Sequence, residues 1–272
     1  MNDKHPDNGH DNGSGGKKPN GKRSARERLA VERERLKARD KRRRSLITGG
    51  AVLGILGLAA VAGVLAANAD GGRSDSEGPI VAPTGATGEG GLAIPVGRPD
   101  AKSTLTVWED FRCPACKQFE GGYRSTVHEL VDKGQLKVEY HLVTLIDHNM
   151  GGSGSLRAAN AAACAQEAGR FTDYHDVLYT NQPEETKDTF AGNATLIRLA
   201  GKVPGLTTPA FKKCVESGRH DSWVVKSDRA FTDKKLSGTP TVLLNGTSVY
   251  GNPRIQFTPQ KLKTMVEEAD RK

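Results

Sequence analysis

The hydrophobic and polar positions divide this 272-residue chain into a polar start, one long apolar run and a region of mixed periodicity. Residues 1–44 are predicted to be largely disordered, because they are polar and too poor in apolar residues to form a core. Residues 45–67 are predicted to form a helix, since the 22 positions from Leu46 to Ala67 carry no charge. Such a helix would be about 33 Å long, enough to cross a bilayer. The Gly-, Ser- and Pro-rich residues 68–91 are predicted to be a flexible linker.

From residue 92 the pattern alternates between strand and helix periodicity. The run TLTVWED (104–110) predicts a strand, and residues 114–133 carry apolar positions at helical spacing. The run KVEYHLV (137–143) alternates polar and apolar residues, as a half-buried strand does. Residues 155–235 then hold helical segments separated by Gly and Pro.

The chain ends in a predicted hairpin and a predicted helix. Two short β-rich runs flank Asn245-Gly246, a pair that favours a two-residue hairpin turn. Thr258 suits the N-cap of the last helix and Pro259 its first position. The order of elements predicts an α/β domain over residues 92–272, with a helical insertion at about 153–220.

The charge is concentrated at the start of the chain. Residues 1–44 contain 15 Lys and Arg against 7 Asp and Glu, so they carry the whole formal net charge of +8. Because residues 45–272 together carry no formal net charge, the basic pI does not indicate binding to nucleic acid. Four basic residues (41–44) precede the apolar run, and the positive-inside rule therefore places the N-terminus in the cytoplasm and the domain outside. The basic tail is expected to contact anionic membrane lipid.

An uncleaved membrane anchor and a cleaved signal peptide both fit the apolar run. An A-x-A match ends at Ala69, so cleavage before Asp70 is an alternative. The run is, however, longer than the usual signal core of about 7–15 residues. A buried core helix is disfavoured, because such helices show a polar face and this one shows none. The sequence favours a single-pass protein of the cell membrane with its catalytic domain extracytoplasmic.

Two of the four cysteines, Cys113 and Cys116, lie three positions apart at the junction of a predicted strand and a predicted helix. Pro114 suits the first helical turn. The unpaired N–H groups and the dipole of a helix N-terminus favour a thiolate at Cys113. Cys116 is one turn further in and should be less exposed. The arrangement predicts an attackable sulfur with a low pKa and a buried resolving sulfur.

Metal binding, a structural bridge and redox exchange are the three uses considered for this pair. A zinc site usually takes four ligands as two close pairs, whereas the other two cysteines are isolated and His128, His141 and His148 show no pair spacing. A structural bridge across so short a loop would constrain the unfolded chain little. Thiol-disulfide exchange is therefore favoured, with the cysteine pair itself as the redox group and no bound cofactor or metal.

The remaining cysteines, Cys164 and Cys214, lie in apolar helical segments. A bridge between them would close a loop of about 50 residues, for which the chain-entropy model gives roughly 4 kcal/mol. We favour a structural disulfide, with two free core thiols as the alternative.

The sequence resembles the DsbA family of thiol-disulfide oxidoreductases. The resemblance rests on DFRCPACKQFE (110–120), on residues 155–185 and on SGTPTVLLNG (237–246), which occur in the family's order. It implies a thioredoxin fold with a helical insertion. It also implies a cis peptide bond before Pro240, with Thr239 presenting its backbone to a substrate strand; an ordinary trans-proline at a strand start is the alternative.

Two positions depart from the family's pattern. Many relatives carry an acidic residue six positions before the first cysteine, where this chain has Val107. Glu109 and Asp110 are nearer, but they are equally well explained as exposed charges at a strand end. The residues between the sulfurs are Pro-Ala, where the strongest oxidants have Pro-His, so Ala115 predicts a less oxidising pair.

The expected activity is the introduction of disulfides into reduced secreted or surface proteins. The resemblance implies reoxidation by a membrane partner of the DsbB or vitamin K epoxide reductase-like kind. A disulfide reductase or isomerase of the same fold is the alternative enzyme. A membrane-tethered chaperone or binding module with a vestigial cysteine pair is the alternative outside catalysis.

Overall fold

The structure is a computed structural model and describes residues 79–271. The predicted tail, the predicted membrane helix and the linker up to residue 78 lie outside the described residues. Within the described range, none of the helices combines the length and apolar character needed to cross a membrane.

Five strands form one mixed sheet at the centre of the domain. They are β1 (Ile94–Val96), β2 (Ser103–Glu109), β3 (Leu136–Leu142), β4 (Thr241–Leu244) and β5 (Thr247–Ser248). The order across the sheet is β1-β3-β2-β4-β5. The β2 and β3 strands are parallel, whereas the other neighbouring pairs are antiparallel. The two long strands lie within one residue of their predicted bounds, so a β-rich run was a sufficient signal for the first and alternation for the second.

The turn between β4 and β5 follows from its two residues. Asn245 has φ 50° and Gly246 has φ 79°, which is the left-handed conformation that a two-residue hairpin turn requires at both positions. The hairpin predicted from Asn-Gly is confirmed, although its second strand is only two residues long.

Eight α-helices accompany the sheet in the part of the chain that the structure describes. The long first helix buries one face at helical spacing, and the last helix begins at a predicted cap, where Thr258 Oγ1 accepts a hydrogen bond from the Lys261 backbone N–H. The helices are α1 (Pro114–Asp132), α2 (Leu145–Met150), α3 (Gly154–Glu167), α4 (Phe171–Thr180), α5 (Asn193–Ala200), α6 (Pro209–Glu216), α7 (Asp221–Asp233) and α8 (Pro259–Asp270).

Helices cover both faces of the sheet. Successive strand residues point to opposite faces, so Val107 and Trp108 of β2 pack into different clusters. Val107 belongs to the main core with the buried face of α1, and α8 packs on both α1 and β2. On the other face Trp108 packs against Phe231 of α7, with ring centroids 5.9 Å apart. This arrangement buries the centre of the sheet and leaves the ends of its strands to meet the insertion.

The insertion is built around α3, which is rich in alanine. From Ala158 to Ala165 every residue is buried, and α2, α4, α6 and α7 all contact this helix. Small side chains let neighbouring helices approach closely, so α3 becomes the centre of the insertion and not a surface helix.

Residues 79–91, which the sequence analysis assigned to the linker, lie against the insertion in the structure. The backbone carbonyl of Val81 accepts a hydrogen bond from His220 (2.8 Å), and that of Gly91 accepts one from the indole of Trp223 (2.8 Å). The Gly-rich composition of this segment predicted a flexible linker. Contacts that main-chain carbonyls make leave no pattern of side chains in the sequence, so these two hydrogen bonds could not be predicted. The described domain therefore begins before residue 92.

Candidate active site

The two cysteines of the predicted redox pair lie at the start of α1. Cys113 is the residue before the helix, Pro114 is its first residue and Cys116 is in the first turn. Cys113 is 6% exposed and Cys116 is 0% exposed, and both are free thiols. The first sulfur is therefore the more accessible of the two, in the order that their helix positions predicted.

The surroundings of the two sulfurs separate their pKa values. A hydrogen bond from the Cys116 thiol lowers the pKa of Cys113 to about 6 against the opposing effect of burial, and the backbone N–H groups of Cys116 and Ala115 lower it further. Burial raises the pKa of Cys116 well above the ordinary thiol value, and its hydrogen bond to Cys113 adds to this effect. At neutral pH the reduced pair therefore holds a thiolate at Cys113 and a thiol at Cys116.

The loop before β4 brings Thr239 and Pro240 to the first sulfur. The Thr239–Pro240 peptide bond is cis, as the family resemblance implied. The protonated thiol of Cys113 donates to the Thr239 backbone carbonyl, with Sγ and O 3.2 Å apart. Residues from two distant parts of the sequence thus form one site around the Cys113 sulfur.

Glu109 and Asp110 are buried, so their interpretation as exposed strand-end charges is wrong. Both residues are 0% exposed. Oε1 of Glu109 lies 2.8 Å from Nε2 of His175 in α4, and Oδ2 of Asp110 accepts a hydrogen bond from the Ile146 backbone N–H at 2.8 Å. The end of β2 lies under the helical insertion, which covers both carboxylates.

Glu109, Glu120 and His175 form a buried charged cluster that reaches α1. Burial raises the pKa of Glu120 to about 8. Burial alone would lower the pKa of His175, but the charges of Glu109 and Glu120 raise it to about 10. His175 is therefore a cation paired with Glu109 at neutral pH. After burial and the neighbouring Cys113, the charge of Glu109 also contributes to the raised pKa of Cys116.

The same cluster brings three potential metal-ligand atoms within 4.8 Å of one another. Nε2 of protonated His175 carries a hydrogen that is donated to Glu109, so it offers no lone pair to a metal. The geometry is that of a buried ion pair with a neighbouring carboxylic acid.

Val107, at the position where many relatives carry an acid, is an apolar core residue of β2. The buried carboxylates near the pair come from Glu109, Asp110 and Glu120 instead. Sequence reasoning missed Glu120 and His175. The partner of Glu109 is 66 positions away, and no local pattern connects the two; a histidine on the apolar face of a predicted helix was the one available signal.

Arg112, the residue before the first cysteine, connects the site to α2 and to the insertion. Its side chain is 3% exposed and forms a salt bridge with Asp147 of α2 at 2.6 Å. It also donates to the backbone carbonyls of Gly151 (2.9 Å) and Glu185 (3.1 Å). The buried guanidinium uses these partners to fix the backbone next to Cys113.

Gln182 makes a second connection from the insertion to the active-site turn. Its side-chain amide donates to the backbone carbonyls of Phe111 and Cys113, each at 2.9 Å. The main chain around the first sulfur is therefore held partly by residues far along the sequence.

Cys164 of α3 and Cys214 of α6 form a disulfide in the structure, with Cα atoms 5.9 Å apart. This bond lies within the insertion, separate from the redox pair. The sequence favoured a structural disulfide between these two cysteines, and the structure contains that disulfide and not two free thiols.

Comparison with known proteins identifies the fold family. A family model described as Thioredoxin matches residues 90–268. The chain belongs to this thioredoxin family.

Similar sequences and solved structures indicate which kind of thioredoxin-family protein this is. Over 155 residues the chain is 29% identical to the probable disulfide bond formation protein D of Bacillus cereus, covering 56% of this chain and 69% of the relative. The reduced DsbA structure from Mycobacterium tuberculosis is 29% identical, with a TM-score of 0.57, covering 66% of this chain and 92% of that one. The DsbG structure from the same organism is 30% identical, also with a TM-score of 0.57, covering 66% and 88%. The protein is a DsbA-like thiol-disulfide oxidoreductase.

Proposed function

We propose that this enzyme works as an oxidase that introduces disulfides into reduced secreted or surface proteins. The observation that carries the proposal is the stabilised thiolate of Cys113 at the start of α1. A stabilised thiolate favours the reduced enzyme, by about 1.4 kcal/mol for each unit of pKa depression. Its disulfide is then a better electron acceptor for substrate thiols.

The reaction transfers two electrons from a substrate dithiol to the enzyme. A substrate thiolate attacks the Cys113 sulfur of the oxidised pair, the Cys113–Cys116 bond breaks, and Cys116 leaves and takes up a proton. A second substrate thiolate then attacks the substrate sulfur of the mixed disulfide, so the substrate disulfide forms and Cys113 leaves as a thiolate. The high pKa of the Cys116 thiol keeps this second sulfur protonated in the product.

The class of substrate and the class of reoxidising partner are proposed from the chemistry of the Cys113 site. Thr239 lies against the Cys113 sulfur, and we assign its backbone as the contact for an extended substrate segment. DsbA-like proteins in general act on substrate proteins and are reoxidised by membrane partners. For this chain we propose a partner of the DsbB or vitamin K epoxide reductase-like kind, which would reform the Cys113–Cys116 disulfide.

The direction of electron flow is tested by the potential of the pair. In glutathione buffers we expect a potential more oxidising than that of thioredoxin, about −270 mV. Since Cys113 is already ionised above pH 6, one proton accompanies two electrons there, and the potential should fall by about 30 mV per pH unit, against about 59 mV below that pH. A potential at or below that of thioredoxin would favour the reductase alternative. A chaperone role instead predicts substrate binding that survives loss of both Cys113 and Cys116.

We further propose that residues 45–67 anchor the protein in the cell membrane, with residues 1–44 in the cytoplasm and the catalytic domain outside. The uncharged run after four basic residues supports this orientation. Fusions of the full chain at its C-terminus to alkaline phosphatase and to a cytoplasmically fluorescent protein test it. We expect active phosphatase and a dark fluorescent fusion; the opposite pair of results would place the domain in the cytoplasm.

A further inference from the structure

His220, at the start of α7, is a fully buried histidine with one unused ring nitrogen. Its Nδ1 lies 2.8 Å from the Val81 carbonyl oxygen, and because a carbonyl only accepts, Nδ1 carries the hydrogen. The lone pair is therefore on Nε2. This atom is buried and has no hydrogen-bond partner among the described residues, which is an unfavourable state for a polar atom in a protein interior.

The imidazole ring of His220 lies next to the disulfide of the insertion. The sulfurs of Cys164 and Cys214 and a ring nitrogen of His220 all lie within 4.8 Å of one another. Oε1 of Glu167, at the end of α3, is 3.8 Å from Nε2 of His220. Two sulfurs, a neutral imidazole nitrogen and a nearby carboxylate are the ligand types of zinc sites.

The disulfide borders a surface cavity. A surface cavity of about 440 Å³ is lined by both cysteines, and by Glu167 and Arg219. A dithiol and a cation can therefore approach the sulfurs without passing through the packed core. The cavity carries one acidic and one basic side chain, so its formal charge does not repel a divalent ion strongly.

We propose that Cys164, Cys214 and His220 form a zinc site that the disulfide closes in the oxidised protein and that reduction opens. The distance between the two cysteines and the tautomer of the histidine support this site. The two Cα atoms are 5.9 Å apart, and the imidazole is already held in the correct tautomer by Val81, as metal-binding histidines usually are by a carbonyl or carboxylate. A carboxylate oxygen, Oε1 of Glu167, lies 3.8 Å from Nε2 of this ring.

The change between the two states balances in electrons and protons. A dithiol gives two electrons and becomes a disulfide, while the Cys164–Cys214 bond breaks and two thiols form. Zn²⁺ then binds both sulfurs as thiolates, and the two protons leave to solvent. Nε2 of His220 donates its lone pair without losing a proton. This site is independent of the direction in which the Cys113–Cys116 pair transfers electrons.

Cobalt and zinc titrations test the proposal. The full chain in detergent, with Cys113→Ser and Cys116→Ser so that only the second pair remains, is reduced with a phosphine and titrated with Co²⁺ without oxygen. We expect one Co²⁺ per chain, with thiolate charge-transfer absorption and the visible bands of tetrahedral cobalt. Zn²⁺ should displace the cobalt and raise the thermal midpoint of the reduced protein. The oxidised protein should show neither effect.

The His220→Asn variant is the matched comparison. Asparagine can still donate an amide hydrogen to Val81 but lacks Nε2. Loss of a residue that only supports a metal ligand costs about 10–100-fold in metal affinity, so loss of a ligand should cost about 100-fold or more. An unchanged thermal midpoint of the oxidised variant would show that it folds.

Three results would overturn the proposal: no cobalt absorption in the reduced protein, equal cobalt affinity with asparagine at position 220, or no zinc effect on the midpoint of the reduced protein. Equal cobalt affinity with asparagine at position 220 is also the result expected if reduction unfolds the protein. Thiols of an unfolded chain would bind cobalt whether or not His220 is present.

Discussion

Replacing Cys113 by serine is expected to reduce oxidation of a reduced test protein to its uncatalysed rate. The variant loses the sulfur that a substrate thiolate attacks, and Cys116 cannot take its place, because it is fully buried and its pKa is raised by that burial. Activity is measured as the regain of function of a reduced, unfolded protein in a glutathione buffer.

Cys116→Ser is the matched control for this loss. It keeps the Cys113 thiolate but removes the sulfur that resolves a mixed disulfide. This variant should form a covalent complex with a disulfide-containing protein, seen as a slower band on a non-reducing gel that a dithiol abolishes. Normal oxidation by Cys113→Ser, or a trapped complex through Cys116, would contradict the assigned roles.

The second large effect concerns the buried ion pair of Glu109 and His175. Glu109→Ala should lower the free energy of unfolding by about 3–5 kcal/mol, since it removes the carboxylate that is hydrogen-bonded to the buried charge of His175. His175 is 2% exposed, so water cannot replace the lost carboxylate. Denaturant unfolding of the oxidised protein measures the change.

The pH dependence of this effect has a definite sign. The folded-state pKa of His175 is raised from 6.5 to about 10, so the stability that the pair contributes is complete below pH 6.5 and is lost as the pH rises through 10. The difference in unfolding free energy between the parent and Glu109→Ala should shrink across that range. A double-mutant cycle with His175→Ala isolates the pair; additive losses in the two single variants would show that they do not interact.

Local chemistry was enough to predict the position of the redox pair. The start of α1 follows from Pro114 and the apolar spacing after it, and the N–H groups at a helix N-terminus favour a thiolate there. The Asn245-Gly246 turn is likewise a property of two adjacent residues. These features depend on neighbours in sequence, so the sequence alone was sufficient.

The surroundings of Cys116 depend on contacts between distant residues. A charged residue at the end of a strand normally faces water, and Glu109 is buried only because α4 of the insertion brings His175 to it. Residues 79–91 were misjudged for a related reason: His220 and Trp223 bind their main-chain carbonyls. The sequence shows the order of the side chains, but it does not show which distant side chain or main-chain carbonyl each of them contacts.

The contacts of Arg112 and Gln182 bear on how far this fold can be rearranged by engineering. Excising the insertion to leave a minimal thioredoxin core would remove the Gln182 amide that donates to the Phe111 and Cys113 carbonyls, and with it the Glu185 carbonyl that accepts from Arg112. Grafting the insertion of a relative would need matching groups at the same two places. The insertion and the redox turn are one inseparable unit, and chimeras should exchange them together.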